Sequence, residues 1–103
     1  MRNDVVLDGR LLRRGDLRHT PAGIPAVDFL LEHSSMQIEA GSERRVQCTI
    51  QAVALGDVAH RVTALPQSRP VRVTGFLGKR AHNDGQLVLH AITAAEAQEN
   101  PTD

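Results

Sequence analysis

The chain is expected to fold as one all-β domain, a five-stranded barrel with at most a short helix between the third and fourth strands. Three observations predict this. Five stretches alternate apolar and polar residues with the period of two that half-buried strands require. Gly, Pro, Asn and Asp punctuate the gaps between them. Only one gap, Gly56 to Pro70, carries helical spacing, with Val58, Val62 and Leu65 at i, i+4 and i+7.

Taken in order, Asn3 to Arg14 reads as the first strand. Val5, Leu7 and Leu11 share one face; Asp8, Arg10 and Leu12 share the other. Gly9 marks a bulge or sharp bend, as small barrels need where a strand turns a corner. Arg13, Arg14 and Arg18 surround Gly15-Asp16 and make a basic loop. Its charges suit either a solvated turn or contact with phosphate. Thr20 to His33 opens with Pro21, Gly23 and Pro25, a rigid turn that excludes helix. It continues into the second strand, Pro25 to Ser35, with Val27, Phe29 and Leu31 inward and Asp28, Leu30 and Glu32 outward. Met36 to Arg44 is expected to be a polar connection turning at Gly41.

Arg45 to Leu55 is the third strand. Val46, Cys48, Ile50 and Ala52 form its apolar face; Arg45, Gln47, Thr49 and Gln51 form a neutral-rich polar one. Asp57 is the expected N-cap of the short helix, and Pro66 ends it. Val71 to Gly78 is the fourth strand, with Val71, Val73 and Leu77 inward and Arg72, Thr74 and Phe76 outward. Lys79 to Gly85 is a basic hairpin loop whose turn signal is Asn83-Asp84-Gly85. Gln86 to Ile92 is the fifth strand. The domain is therefore placed at residues 1–93, and residues 94–103 are expected to be a disordered acidic tail.

The chain's 103 residues suffice for one domain with a single core. Formal net charge is zero, but Glu96, Glu99 and Asp103 all lie in the expected tail. Without residues 94–103, twelve basic residues face nine acidic ones, and eleven of the twelve are Arg. Arginine presents a planar fork suited to phosphate and to stacking. Phe29 and Phe76 are the only aromatics, so a broad stacking platform is not available. The lone Cys48 excludes an internal disulfide and a multi-cysteine zinc site, and it reads as a small core residue. Neither a signal peptide nor an apolar run near membrane-spanning length is seen, and a cytoplasmic location is expected.

Five strands with one helical gap match the Greek-key barrel called the OB-fold. Such barrels bind oligonucleotides on the face of strands two and three, between the loops joining strands one to two and four to five. Here those are the two basic loops. Gln47, Thr49 and Gln51 lie on the sheet between them.

A family resemblance is carried by Val6-Leu7 with Gly9, by Thr20-Pro21 with Gly23-Ile24-Pro25, and by Phe29 with Leu31-Glu32-His33. It continues through Gln37, Glu39-Ala40-Gly41, Cys48, Gly56, Val73, Gly75-Phe76 and Val88-Leu89-His90-Ala91. On these residues the chain resembles the primosomal replication protein N (PriB) family, related to single-stranded DNA-binding protein. The match runs from residue 3 to about 93. The resemblance implies a non-enzymatic OB-fold homodimer that binds single-stranded DNA. It implies partnership with the PriA helicase and DnaT at stalled forks, before the replicative helicase is reloaded. It also implies dimerisation through the first strand and its neighbouring sheet edge.

Two departures from the family stand out. Ser42 and Gln47 occupy positions where relatives often carry aromatics, and Ala81 and Asn83 stand where lysines would be expected. The DNA-contacting set is expected to be Arg13, Arg14, Arg18, His19, Arg44, Gln47, Lys79, Arg80 and His82. Binding is expected to be weak and electrostatic compared with a typical relative. A protein adaptor on the same fold, with little DNA affinity of its own, is the main alternative; an RNA-binding barrel is a third. No catalytic constellation is present. Asp28 and Glu32 share a strand face about 13 Å apart, too far for a retaining carboxylate pair. No phosphate-binding glycine loop or nucleophile elbow occurs. The five histidines are scattered, so neither a metal nor a cofactor is expected.

Overall fold

In the structure, a computed structural model that describes residues 1–79 and 85–97, the five expected strands close into a barrel. The elements are β1 (Val5–Arg14), β2 (Arg18–His19), β3 (Pro25–Glu39), β4 (Ser42–Leu55), α1 (Asp57–Ala64), β5 (Val71–Lys79) and β6 (Leu87–Glu96). The sheet order is β1-β5-β6-β4-β3-β2, and pairing of β1 with β3 closes the ring. Among the described strands only β4 and β6 pair in parallel. This is the OB-fold topology.

Closure depends on β1 changing partners in mid-strand. Val5 to Gly9 pair with β5, and Arg10 to Arg14 pair with β3. Gly9 sits at the change. A Cβ there would lie 2.7 Å from the carbonyl oxygen of Glu32, so only glycine lets the strands approach this closely. The bulge itself falls three residues later, where the register skips Leu12. Gly75 has a similar role at the bulge between β5 and β6, since a Cβ there would overlap the backbone of His90.

The core is the barrel interior. Leu11, Val27, Phe29, Leu31, Val71, Val73 and Leu89 are all buried there. Full burial of such side chains is worth roughly 1.5–3 kcal/mol each. Small residues, Ala52, Ala54, Ala91 and Ala94, leave room for α1 to plug the open end with Val58, Ala59 and Val62. The helix is two turns long, as its spacing predicts. Its cap differs from expectation: Gly56, at φ 82°, is the N-cap, and Asp57 is the first helical residue. Asp57 still places a carboxylate in the first turn, where the helix dipole favours it.

Two further boundaries move. The segment 36–44 is not a connection. β3 runs to Glu39, β4 starts at Ser42, and Ala40-Gly41 form a two-residue turn with φ values of 52° and 80°. From His33↔Cys48 to Glu39↔Ser42 the two strands pair only with each other, so they form a ribbon projecting from the barrel. Cys48 lies on that ribbon and is exposed, not in the core. Both faces of the ribbon meet solvent in the single chain, so alternation there does not separate core from surface. The second change is at the other end. β6 continues to Glu96 by pairing with Val71 to Val73, and Ala94 is buried. The folded body thus extends past residue 93; residues 98–103 lie outside the described residues.

Candidate nucleic-acid interface

The β3–β4 register sorts side chains onto two faces. Leu30↔Gln51, Glu32↔Thr49, Ser34↔Gln47 and Met36↔Arg45 share the outer face, while Phe29↔Ala52 and Leu31↔Ile50 face the core. On β4 the outer face is therefore a neutral polar row with Arg45 near its far end, and on β3 it carries Leu30, Ser34 and the exposed Glu32. Met36 and Ile38, both well exposed, add aliphatic surface on the same side of the ribbon.

The bulge at Leu12 separates two neighbouring arginines. It sets Arg13 opposite Leu30, on the outer face, and Arg14 opposite Phe29, toward the interior. Arg13 is exposed and makes no hydrogen bond or ion pair with a described residue. The half-buried Arg14 instead donates to the carbonyls of Val62 (3.0 Å) and Leu65 (2.7 Å). Both carbonyls lie at the helix C-terminus, where the dipole favours a cation; that of Val62 also accepts the Leu65 N–H at 3.2 Å. Arg14 thus anchors α1 and is turned away from the outer face.

Arg18 is exposed but paired with Asp28 at 3.1 Å. That contact accounts for one acidic residue on the presumed binding face, because its charge is locally neutralised. The other, Glu32, stands opposite Arg10 in the β1–β3 register. His19 is exposed in the short β2 pairing with β3. Arg44 lies on the ribbon face opposite Gln47 and pairs with Glu39 at 2.9 Å. Its neighbour Arg45 occupies the outer face without a described partner. The alternation Arg45, Gln47, Thr49, Gln51 carried that signal. Lys79 ends β5, exposed, opposite Leu87. Arg80 and His82 lie outside the described residues.

A larger hollow, about 710 Å³, lies at the root of the ribbon beside β1, with Asp8, Arg10, Glu32, His33 and Cys48 among its lining. His33 is its hinge pin. Its Nδ1–H donates to the Asp8 carbonyl at 2.6 Å, which leaves Nε2 to accept from the Ser35 hydroxyl at 2.8 Å. Gln37 in turn donates to the Ser35 oxygen at 3.0 Å. Across the sheet, Arg72 donates twice to the Asp8 carboxylate (2.7 and 3.0 Å) and holds that carboxyl below its ordinary range. On the outer side of β5–β6, Phe76 stacks on His90 with centroids 4.9 Å apart, and Gly78 leaves space for the imidazole. No cluster of three or more metal-ligating side chains occurs among the described residues. No described helix is long and apolar enough to cross a membrane.

The comparisons with known proteins agree with this geometry. Residues 3–93 match the model of a family described as another single-strand binding protein family. The replication restart protein PriB of Bordetella pertussis is 44% identical over 88 residues, covering 85% of this chain and 82% of that one. Its counterpart in Nitrosomonas europaea is 36% identical over 89 residues, covering 86% and 82%. Among solved structures, PriB from Ralstonia solanacearum superposes with a TM-score of 0.86 at 31% identity, covering 95% of this chain and 100% of that one. A single-stranded DNA-binding protein from Thermus aquaticus gives a TM-score of 0.73 at 26% identity, covering 96% and 52%. With a family model matched over most of its length and relatives of 44% and 36% identity covered to more than four fifths, the chain belongs to the family of replication restart protein PriB.

Proposed function

We propose that this chain is a non-enzymatic single-stranded DNA-binding protein of replication restart. It acts in the cytoplasm as a homodimer, with the PriA helicase and DnaT, before the replicative helicase is reloaded. The observation that carries the reading is the outer face of β3–β4. A neutral row of Gln47, Thr49 and Gln51 is bordered by Arg13 and Arg45, neither of which has a described partner. Neutral amides and hydroxyls tolerate any base, and unpaired arginines attract the phosphates. Arg13, Arg45, Gln47 and Lys79 are the contacts this reading favours, with Arg18 and His19 at the edge. The dimer reading is supported by β1, whose Val5–Gly9 segment pairs with β5 on one side and with no described strand on the other.

A protein adaptor with little DNA affinity of its own is the second reading. It is favoured by the ion pairs that occupy Arg18 and Arg44, and by an outer face without aromatics. Polarisation titrations with labelled single-stranded DNA, duplex and RNA, with and without the helicase, separate the two. Saturable binding of single-stranded DNA by the isolated protein supports the first; binding only when the helicase is present supports the second.

A further inference from the structure

We infer that a shallow concavity beside the first loop is a nucleobase subsite, with Leu30 as its floor, Gln51 as its polar wall and Arg13 at its rim. The inference rests on the DNA-binding reading and names where on this face a base is held. The concavity has a volume of about 320 Å³, at the small end for a ligand pocket and adequate for one base with its sugar.

The register builds it. Leu30 sits between Arg13 on β1 and Gln51 on β4, so the three side chains emerge in one row on the outer face. The backbone N–H of Gly15 donates to the carbonyl of Asp28 at 2.9 Å and fixes the near rim. Leu30 is half-buried and offers an apolar surface against which a planar ring can lie. Gln51 is half-buried too, and its amide makes no hydrogen bond with a described residue. An amide carries donors and an acceptor, so by choice of orientation it complements the edge of any base. Arg13, without a described partner, stands at the opening, where the phosphate of a seated nucleotide would lie. Arg14, Phe29 and Asp28 also border the space, and the pairing of the Asp28 carboxylate with Arg18 keeps it from repelling that phosphate.

This arrangement replaces an aromatic platform with an aliphatic floor and an amide. It predicts a base-dependent but sequence-tolerant component of binding. The test compares a thymidine oligonucleotide with an abasic strand of equal length, by polarisation, using the full chain. The native protein should prefer the thymidine strand. Leu30→Ser and Gln51→Ala should each lower affinity for that strand about three- to tenfold and leave the abasic strand unaffected. Leu30→Met, which keeps the floor, should retain the preference. Arg13→Gln should weaken both strands and lower the slope of log affinity against log salt by about 0.7. Equal losses on both strands, or no loss on either, would overturn the subsite while leaving DNA binding intact. So would variants that spare the thymidine preference and weaken only a protein partner. A native chain that binds neither strand would overturn the DNA-binding reading and the subsite with it.

Discussion

The guanidinium of Arg14 lies within 3.0 Å of two carbonyls at the end of α1. Its neighbour Arg13 points into solvent, so the pair lets structure and binding be separated by single substitutions. Arg14→Met keeps much of the stem and removes the charge-assisted hydrogen bonds. It is expected to lower stability by about 1–3 kcal/mol, read as a fall in the denaturant midpoint, with DNA affinity per folded molecule little changed. Asp8 supports a second expectation. Hydrogen bonds from Arg72 hold its carboxyl below the ordinary value of 3.8. As pH falls, the unfolded chain takes up that proton before the folded one does. The stabilisation is therefore complete above about pH 5 and is lost as pH drops through the lowered folded-state value. Both side chains are substantially exposed, so the effect is small. Melting curves of the native protein and Asp8→Asn should differ at neutral pH and converge in acid.

At the scale of elements, the projecting ribbon is the part least secured by the core. Beyond Glu32 it is held by its own ladder, by the His33 bond to β1 and by its turn. That turn places Ala40 at φ 52°, a left-handed conformation that costs L-residues with a Cβ on the order of 1 kcal/mol. Asn is better tolerated there, and Asn-Gly is a favoured two-residue hairpin turn. Ala40→Asn is expected to stabilise the ribbon by about 0.5–1 kcal/mol. Slower amide exchange between Ser35 and Val46 would register it. The ribbon was hard to read because its alternation does not report burial where neither face is dry. Met36, Ile38 and Arg45 share its outer face, and none of them is buried. The helix was easier, because Val58 and Val62 must both reach the barrel interior.

For the whole molecule, zero formal net charge conceals an uneven surface. Several arginines are paired internally, with Asp28, Glu39, Glu96 and Asp8. Arg13 and Arg45, on the binding face, are not among them. Phosphate binding by a few cations, without aromatic stacking, depends mainly on counterion release. Affinity for single-stranded DNA is expected to fall steeply with salt, each phosphate contact adding about 0.7 to the slope. A titration across ionic strength checks this; tight binding that barely responds to salt would contradict it. An added contribution from the ribbon's aliphatic face would appear as residual affinity at high salt.

The succession of strands along the chain, the inward rows of the barrel segments, the short helix and the family were determined by the sequence alone. Each follows from local periodicity or from residues such as Gly9 and Gly75, whose absent side chains admit a neighbouring strand. What only the tertiary structure decided was which face meets another layer and which charge meets a partner. A one-residue bulge at Leu12 sends Arg13 outward and Arg14 inward. The strands' overrun past the barrel exposes Cys48, and the same register turns Arg44 from the outer face and leaves Arg45 on it. A period of two gives each side chain its side of its own strand. Whether that side is core, solvent or a salt bridge depends on pairings between distant segments, which no local pattern encodes.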